Sequence, residues 1–143
     1  MSIDEIINVL YEHMEFNNLI DNEQVEEIIK QFPECVYYGQ VYRCIYIVDK
    51  VIENNLWQSW SGSINSAEMV ASNLRAGCTS KGINKVILNQ EVKNGLDLIK
   101  LLDTIKKLDL TDEQKKIVYR LLSNYRQEHE VLCQLMNTYN IVE

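Results

Sequence analysis

The hydrophobic positions of the first 34 residues step by three and four. Ile3, Ile6, Ile7, Leu10 and Met14 share one side of a helix, and Ser2 with Glu5 makes a capping box at its start. The spacing predicts an amphipathic helix over residues 3–16. A second helix is expected from about Asn22 to Gln31, with Val25, Ile28, Ile29 and Phe32 on one side and Pro33 as its stop. Acidic residues occupy the outer faces of both helices.

The texture changes at residue 36. Val36 to Val48 is dense in β-branched and aromatic residues and reads as a strand with a break at Gly39. A short helix is expected at Asp49 to Asn54, then a short strand or turn at Trp57 to Ser63. Asn65 is the expected cap of a helix from Ala67 to about Arg75, with Gly77 past its end. Lys85 to Val92 reads as a strand and Leu96 to Lys107 as a helix. Thr111 with Gln114 makes another capping box, opening a helix to about Arg126. Val131 to Met136 and Thr138 to Val142 read as terminal strands. Helices first, then strands mixed with helices, is an α+β pattern. No repeat, low-complexity segment or linker interrupts it.

Composition narrows the class. The chain has 143 residues, 46% hydrophobic and 24% charged, which fits one globular domain and argues against disorder or a coiled coil. No apolar run approaches the roughly 20 residues of a membrane span. The start, with acids at Asp4 and Glu5 and no basic stretch, is not that of a secretory signal, so a cytoplasmic protein is expected. Cys35, Cys44, Cys78 and Cys133 form no CxxC pair and, with His13 and His129, give no zinc spacing; reduced core thiols are expected.

The charge is uneven. Residues 1–34 hold nine acids and one base, Lys30, whereas residues 35–143 hold 12 acids and 13 bases, so the N-terminal segment carries −8 and the rest +1 of the net −7. This divides the single domain into an acidic helical segment, 1–34, and a near-neutral body, 35–143. Direct nucleic-acid binding is not expected, because the phosphate backbone would be repelled by the first segment and weakly held elsewhere.

Three places carry candidate chemistry. Arg43 stands in an apolar strand between Tyr42 and Cys44, and a guanidinium fork there can pair with a carboxylate or hold a phosphate. Trp57-Gln58-Ser59-Trp60-Ser61-Gly62-Ser63 places three serines on alternate positions, hence on one face of a strand; as turn chemistry, Ser63 or Asn65 would cap the following helix. Glu128-His129-Glu130 puts two carboxylates two residues apart, about 6–7 Å between Cα atoms in extended chain. Both could then serve one centre, one stabilising an oxocarbenium-like state and one acting as base. His129 would face the opposite way and reads as structural or solvent-facing.

In order along the chain, Val41-Tyr42-Arg43, Trp60-Ser61-Gly62-Ser63, Lys85-Val86-Ile87-Leu88 and Glu128-His129-Glu130-Val131-Leu132 resemble the ADP-ribosyltransferases of the Arg–Ser–Glu type, a group of toxin and phage enzymes. The resemblance covers roughly residues 36–143. It implies two small β-sheets forming a cleft for NAD as co-substrate, flanked by helices and preceded by the N-terminal helical pair. Arg43 would hold the NAD phosphates. Ser61 would brace the catalytic glutamate and the nicotinamide ribose, with Ser63 beside it, and Trp57, Trp60, Tyr38 and Tyr42 would either stack on nicotinamide or adenine or pack in the core. Glu130 would bind the ribose 2′-hydroxyl and stabilise the oxocarbenium, while Glu128 orients or deprotonates the acceptor, with arginine favoured.

The sequence departs from that pattern at Cys44, where glycine is frequent, and at Ser-Gly-Ser, where Ser59 could slide into register for Ser61. The expected activity is transfer of ADP-ribose to a macromolecular target, a host protein, without membrane involvement. The small, Asn-, Ile- and Lys-rich chain suits a low-GC bacterium or its phage, as an effector in the host-cell cytoplasm. The alternative is a degenerate member that binds a basic partner through its acidic helices. Because residues 1–34 would be poor neighbours for phosphates, their first helix is expected away from Arg43.

Overall fold

A computed structural model of the chain describes residues 1–48, 57–74, 83–136 and 140–142. The helix expected at Asp49 to Asn54 lies outside the described residues, as does Cys78. Two helices open the chain, α1 (Ile3–Phe16) and α2 (Asn22–Gln31). The Ser2 hydroxyl accepts from the Glu5 amide at 3.1 Å, as its capping position requires, and α1 ends at Asn17 in the left-handed region, φ 58°. Pro33 follows α2 in a one-turn 3-10 segment.

The strands are β1 (Val36–Val48), β2 (Trp57–Ser61), β3 (Ile83–Asp97), β4 (Glu130–Met136) and β5 (Asn140–Val142), and the remaining helices are α3 (Ile64–Leu74), α4 (Leu98–Lys106) and α5 (Asp112–Tyr125). Helices and an antiparallel sheet make this an α+β protein. The break expected at Gly39 is a register shift inside a continuous strand; the glycine takes φ 132°, a conformation that a side chain disfavours.

All five described strands belong to one sheet, in the order β1-β2-β4-β3-β5, with β1 also paired to β3. The expectation of two separate small sheets is corrected accordingly. The cause is the length of β3. It pairs with β1 from Ile83 to Leu96 and with β5 from Ile87 to Asn89, and its last two residues, Leu96 and Asp97, also reach Leu132 and Val131 of β4. Since β4 pairs with β2, and β2 meets β1 at Tyr42↔Ser61, four strands close into a ring of antiparallel contacts.

Three buried clusters follow from this arrangement among the described residues, the smallest of them Cys44, Ala67 and Ala71 between β1 and α3. The largest lies among the helices: Ile6, Ile7 and Leu10 of α1 and Val25 and Ile28 of α2 pack with Leu101, Leu102 and Ile105 of α4 and Val118 and Leu121 of α5. The second lies between strands and holds Val41, Trp60, Leu88, Val92 and Val131. The acidic segment therefore shares its apolar side with helices from the body. Cys35, Cys44 and Cys133 are buried free thiols. Among the described residues, no helix is long and apolar enough to cross a membrane.

Candidate functional site

The site grows out of strand alternation. On β2 and β4, Trp60 lies opposite Val131 and both side chains enter the strand core. Their neighbours Ser59, Ser61 and Glu130 therefore project to the other side. There they line a cavity of about 490 Å³, together with Tyr42, Arg43 and Cys44 of β1, Ala67 and Val70 of α3, Tyr125, Glu128, and His13, Met14, Glu15, Asn17 and Leu19 at and beyond the end of α1. Such a volume suits a small-molecule ligand.

Glu130 is its organising group. One carboxylate oxygen, Oε2, accepts from the Ser59 hydroxyl at 2.7 Å and sits 2.6 Å from His13 Nε2. Arg43 braces the same point from β1, its Nη1 donating to the Ser59 carbonyl oxygen at 2.6 Å. Residues 13, 43, 59 and 130 thus meet through a chain of hydrogen bonds. Burial draws the Arg43 guanidinium down from its ordinary value, and the Glu130 charge opposes that.

Glu128 approaches differently from expectation. It lies on a 3-10 turn, Arg126–Glu128, and His129 is left-handed at φ 44°, so the chain between the glutamates is not extended. Both carboxylates still line the cavity. Burial, and secondarily the charge of Glu130, pushes Glu128 up to about 7. His129 is partly exposed, as expected; its ring lies edge-on to Tyr37 and 3.7 Å from Asp97, and its carbonyl oxygen accepts from the Gly62 amide.

Several expected roles are corrected. The serine bonded to the glutamate is Ser59; Ser61 lies directly across from Glu130 in the sheet and lines the cavity beside it. Ser63 does not line the cavity. Its hydroxyl accepts from the Ser66 amide at 3.1 Å, so Ser63 caps α3, which starts at Ile64 and takes in Asn65. Trp60 contributes to the wall, but it is 2% exposed and packs among Val41, Leu88 and Val131, which leaves no face for stacking. Tyr42 is half-buried at the cavity wall.

The largest correction concerns the first helix, which was expected away from Arg43. Its last turn supplies His13, Met14 and Glu15 to the cavity. Gln58 fixes it there: its side-chain amide accepts from the Ile20 amide at 3.0 Å and donates to the Ile20 carbonyl at 2.6 Å, both bonds buried. Long-range charge had argued for separation, but most of the acids sit on the solvent faces of α1 and α2, Glu15 at the cavity is paired with Arg120 at 3.0 Å, and the apolar side carries His13 inward. One sign marked His13 in the sequence: it falls three residues after Leu10, in the stripe otherwise kept for hydrophobic residues.

Fold and site together define an α+β protein with a glutamate clamped by a histidine, a serine and, through that serine's backbone, an arginine. Neither a protein-family model, a curated protein nor a solved structure matches the chain. Among the described residues, no group of three or more His, Cys, Asp or Glu side chains is placed to hold a metal ion.

Proposed function

We propose that the chain is a mono-ADP-ribosyltransferase of the Arg–Ser–Glu type, acting on NAD and a macromolecular acceptor, with arginine favoured. What supports the reading is the meeting of Arg43, Ser59 and Glu130, from three strands, at a cavity that also holds Glu128. The two glutamates are differentiated in the way such a transfer needs. Arg43 and His13 adjoin Glu130, whereas burial and the charge of Glu130 push the Glu128 carboxyl up to about 7.

In this reading Arg43 pairs with the pyrophosphate and Glu130 hydrogen-bonds the 2′-hydroxyl of the nicotinamide ribose. The bond from C1′ to the nicotinamide nitrogen breaks, and nicotinamide leaves with the electron pair. The carboxylate of Glu130 stabilises the positive charge that develops on the ribose. A nitrogen of the acceptor guanidinium then bonds to C1′, and its proton passes to Glu128, because a guanidinium is a poor nucleophile until a carboxylate takes a proton from it.

The test is nicotinamide release from NAD, and label transfer into a host lysate, for wild type and Glu130→Gln. Release that falls by about two orders of magnitude or more in the variant is the expected result. No release, no transfer and no detectable NAD binding by the wild type would overturn it.

One observation favours a second reading. The pair that His13 makes with Glu130 already satisfies one oxygen of the carboxylate, as in a degenerate member that binds a basic partner through the acids of α1 and α2. Reversing exposed charges such as Glu23 and Glu26 would then abolish partner capture, and Glu130→Gln would leave it intact.

A further inference from the structure

Taking ADP-ribosyl transfer as the basis, we propose that His13 is a positioning residue of the active site: from the first helix it fixes the orientation of the Glu130 carboxylate through Oε2.

The hydrogen-bond geometry determines the role. His13 is 4% exposed, and its Nδ1 lies 2.8 Å from the Asn18 carbonyl oxygen. A carbonyl only accepts, so Nδ1 carries a hydrogen. Nε2 is 2.6 Å from Glu130 Oε2 and 3.3 Å from Ser59 Oγ. In a Ser–His–acid relay the serine and the acid take opposite ring nitrogens. Here both lie at Nε2, and the Ser59 hydroxyl donates to the glutamate instead of to the ring. The cluster is therefore a clamp on a carboxylate, not a device for activating a serine.

With Nδ1 already donating, a neutral ring would turn the lone pair of Nε2 towards the carboxylate. The protonated ring instead donates from both nitrogens and supplies a charge next to Glu130. Both bonds end on Oε2, and Oε1 takes part in neither, which suits a carboxylate that must also meet a ribose hydroxyl. A buried carboxylate held by two donors keeps its orientation before substrate arrives. The fold places the clamp by two adjacent residues of β2: Gln58 holds Ile20, just past α1, and Ser59 meets His13.

The other titratable groups around the pair are Arg43, Tyr42 and Cys44 of β1, Cys133 of β4, Glu15 of α1, Tyr125 of α5 and Glu128 on the turn. Arg43 is the remaining cation among them. Removing His13 leaves two glutamates with one positive neighbour, and ionising both becomes harder. The pH at which activity rises should then move up.

Two measurements decide the matter. The first is independent of activity. The chain has two histidines, so the imidazole proton resonances can be followed through a pH titration in wild type and Glu130→Gln. Burial lowers the His13 midpoint, but the hydrogen bond and charge of Glu130 and the hydrogen bond to Asn18 together raise it above 6.5 in the wild type, and it should fall in the variant, which loses the Glu130 charge. The same midpoint in both proteins would overturn the clamp whether or not NAD is turned over.

The second measurement is nicotinamide release by His13→Leu and His13→Gln. For the leucine variant kcat should fall about 10–100-fold, with KM for NAD changing less than about threefold and the alkaline rise displaced upward. The glutamine variant, which still offers a donor, should recover part of kcat. In a Glu130→Gln background His13→Leu should cost little more, because the two act as one unit. A folded His13→Leu protein with full kcat and an unmoved pH profile would refute the role. No release by wild type, with the histidine shift present, would instead refute the transferase reading and leave the clamp standing.

Discussion

At the scale of single residues, the site separates groups that sequence alone leaves equivalent. Ser59 and Ser61 sit on alternate positions of one strand, so periodicity puts both on the same face and cannot rank them. The ranking comes from cross-strand register. Ser61 lies directly opposite Glu130, whereas Ser59, on the diagonal, reaches Oε2 with its hydroxyl. Ser59→Ala should therefore lower nicotinamide release by about 10–100-fold, and Ser61→Ala by much less, in side-by-side assays. Equal losses would mean that the register moves when substrate binds.

Glu128 gives a prediction with two independent readouts. Its carboxyl is raised from 4.5 to about 7 by burial and by Glu130. A base with that value makes transfer to a guanidino acceptor rise with pH through about 7. Stability should run the other way. Between pH 4.5 and 7 the folded protein holds a proton that the unfolded chain has released, so stability falls as pH rises across that window and is level beyond it. Glu128→Gln removes this penalty. The variant should melt about 2–4 °C higher than wild type at pH 8, and with it at pH 4, while losing transfer. A variant no more stable at pH 8 would mean that Glu128 does not carry the raised value.

At the scale of elements, caps and periodicity were legible and long-range pairing was not. The N-cap at Ser2, where the Glu5 side chain takes the serine hydroxyl instead of completing the expected box, the capping box at Thr111, the stop at Pro33 and the β-branched run from Val36 to Val48 each yielded elements with the expected bounds, to within a residue or two. The strand expected at Lys85 to Val92 continues to Asp97 through Lys93, Asn94 and Gly95, which carry no strand signature. What holds that extension is pairing with Val36 and Tyr37 on one edge and with β4 on the other. Gly95 has a specific part in it. A Cβ there would come within 2.7 Å of a Val131 methyl group and 3.2 Å of Val92, both buried. Gly95→Ala should cost about 1–3 kcal/mol in a denaturant titration and loosen the β3–β4 junction that carries Glu130.

The Gln58 contact is the other element-level device. Its amide pairs with both backbone groups of Ile20, joining α1's exit to β2 in place of a strand partner. Gln58→Leu keeps the volume but leaves two buried backbone groups unsatisfied, at about 1–3 kcal/mol for each group. The cost should appear in denaturant titration, accompanied by a shift of the His13 resonance. A neutral outcome would mean that α1 is held by its apolar side alone.

At the scale of the whole molecule, the candidate site was half legible. Arg43, the serine run and Glu130 could be found because they lie in or beside strands of recognisable texture, with Glu128 two residues away on the preceding turn, and their order along the chain suggested a common centre. His13 could not be tied to them, since 117 residues separate it from Glu130 and only the tertiary packing of α1 brings the two within 2.6 Å. The uneven charge also misled: it argued for a first helix away from Arg43, whereas the apolar sides of both helices complete the main core and α1 brings His13 and Glu15 to the cavity. Ile6, Ile7, Leu10, Val25 and Ile28 are each at most 1% exposed. Burying a side chain of that size contributes about 1.5–3 kcal/mol, so five of them together match the roughly 5–15 kcal/mol by which a whole domain is stable. The body expressed alone, residues 35–143, should consequently fail to give a cooperative thermal transition by circular dichroism, and the full chain should unfold in one step in which helix loss and Trp60 exposure coincide. A well-folded 35–143 fragment would mean that the helical pair is an accessory after all, and would also make it the direct test of whether nicotinamide release survives without His13.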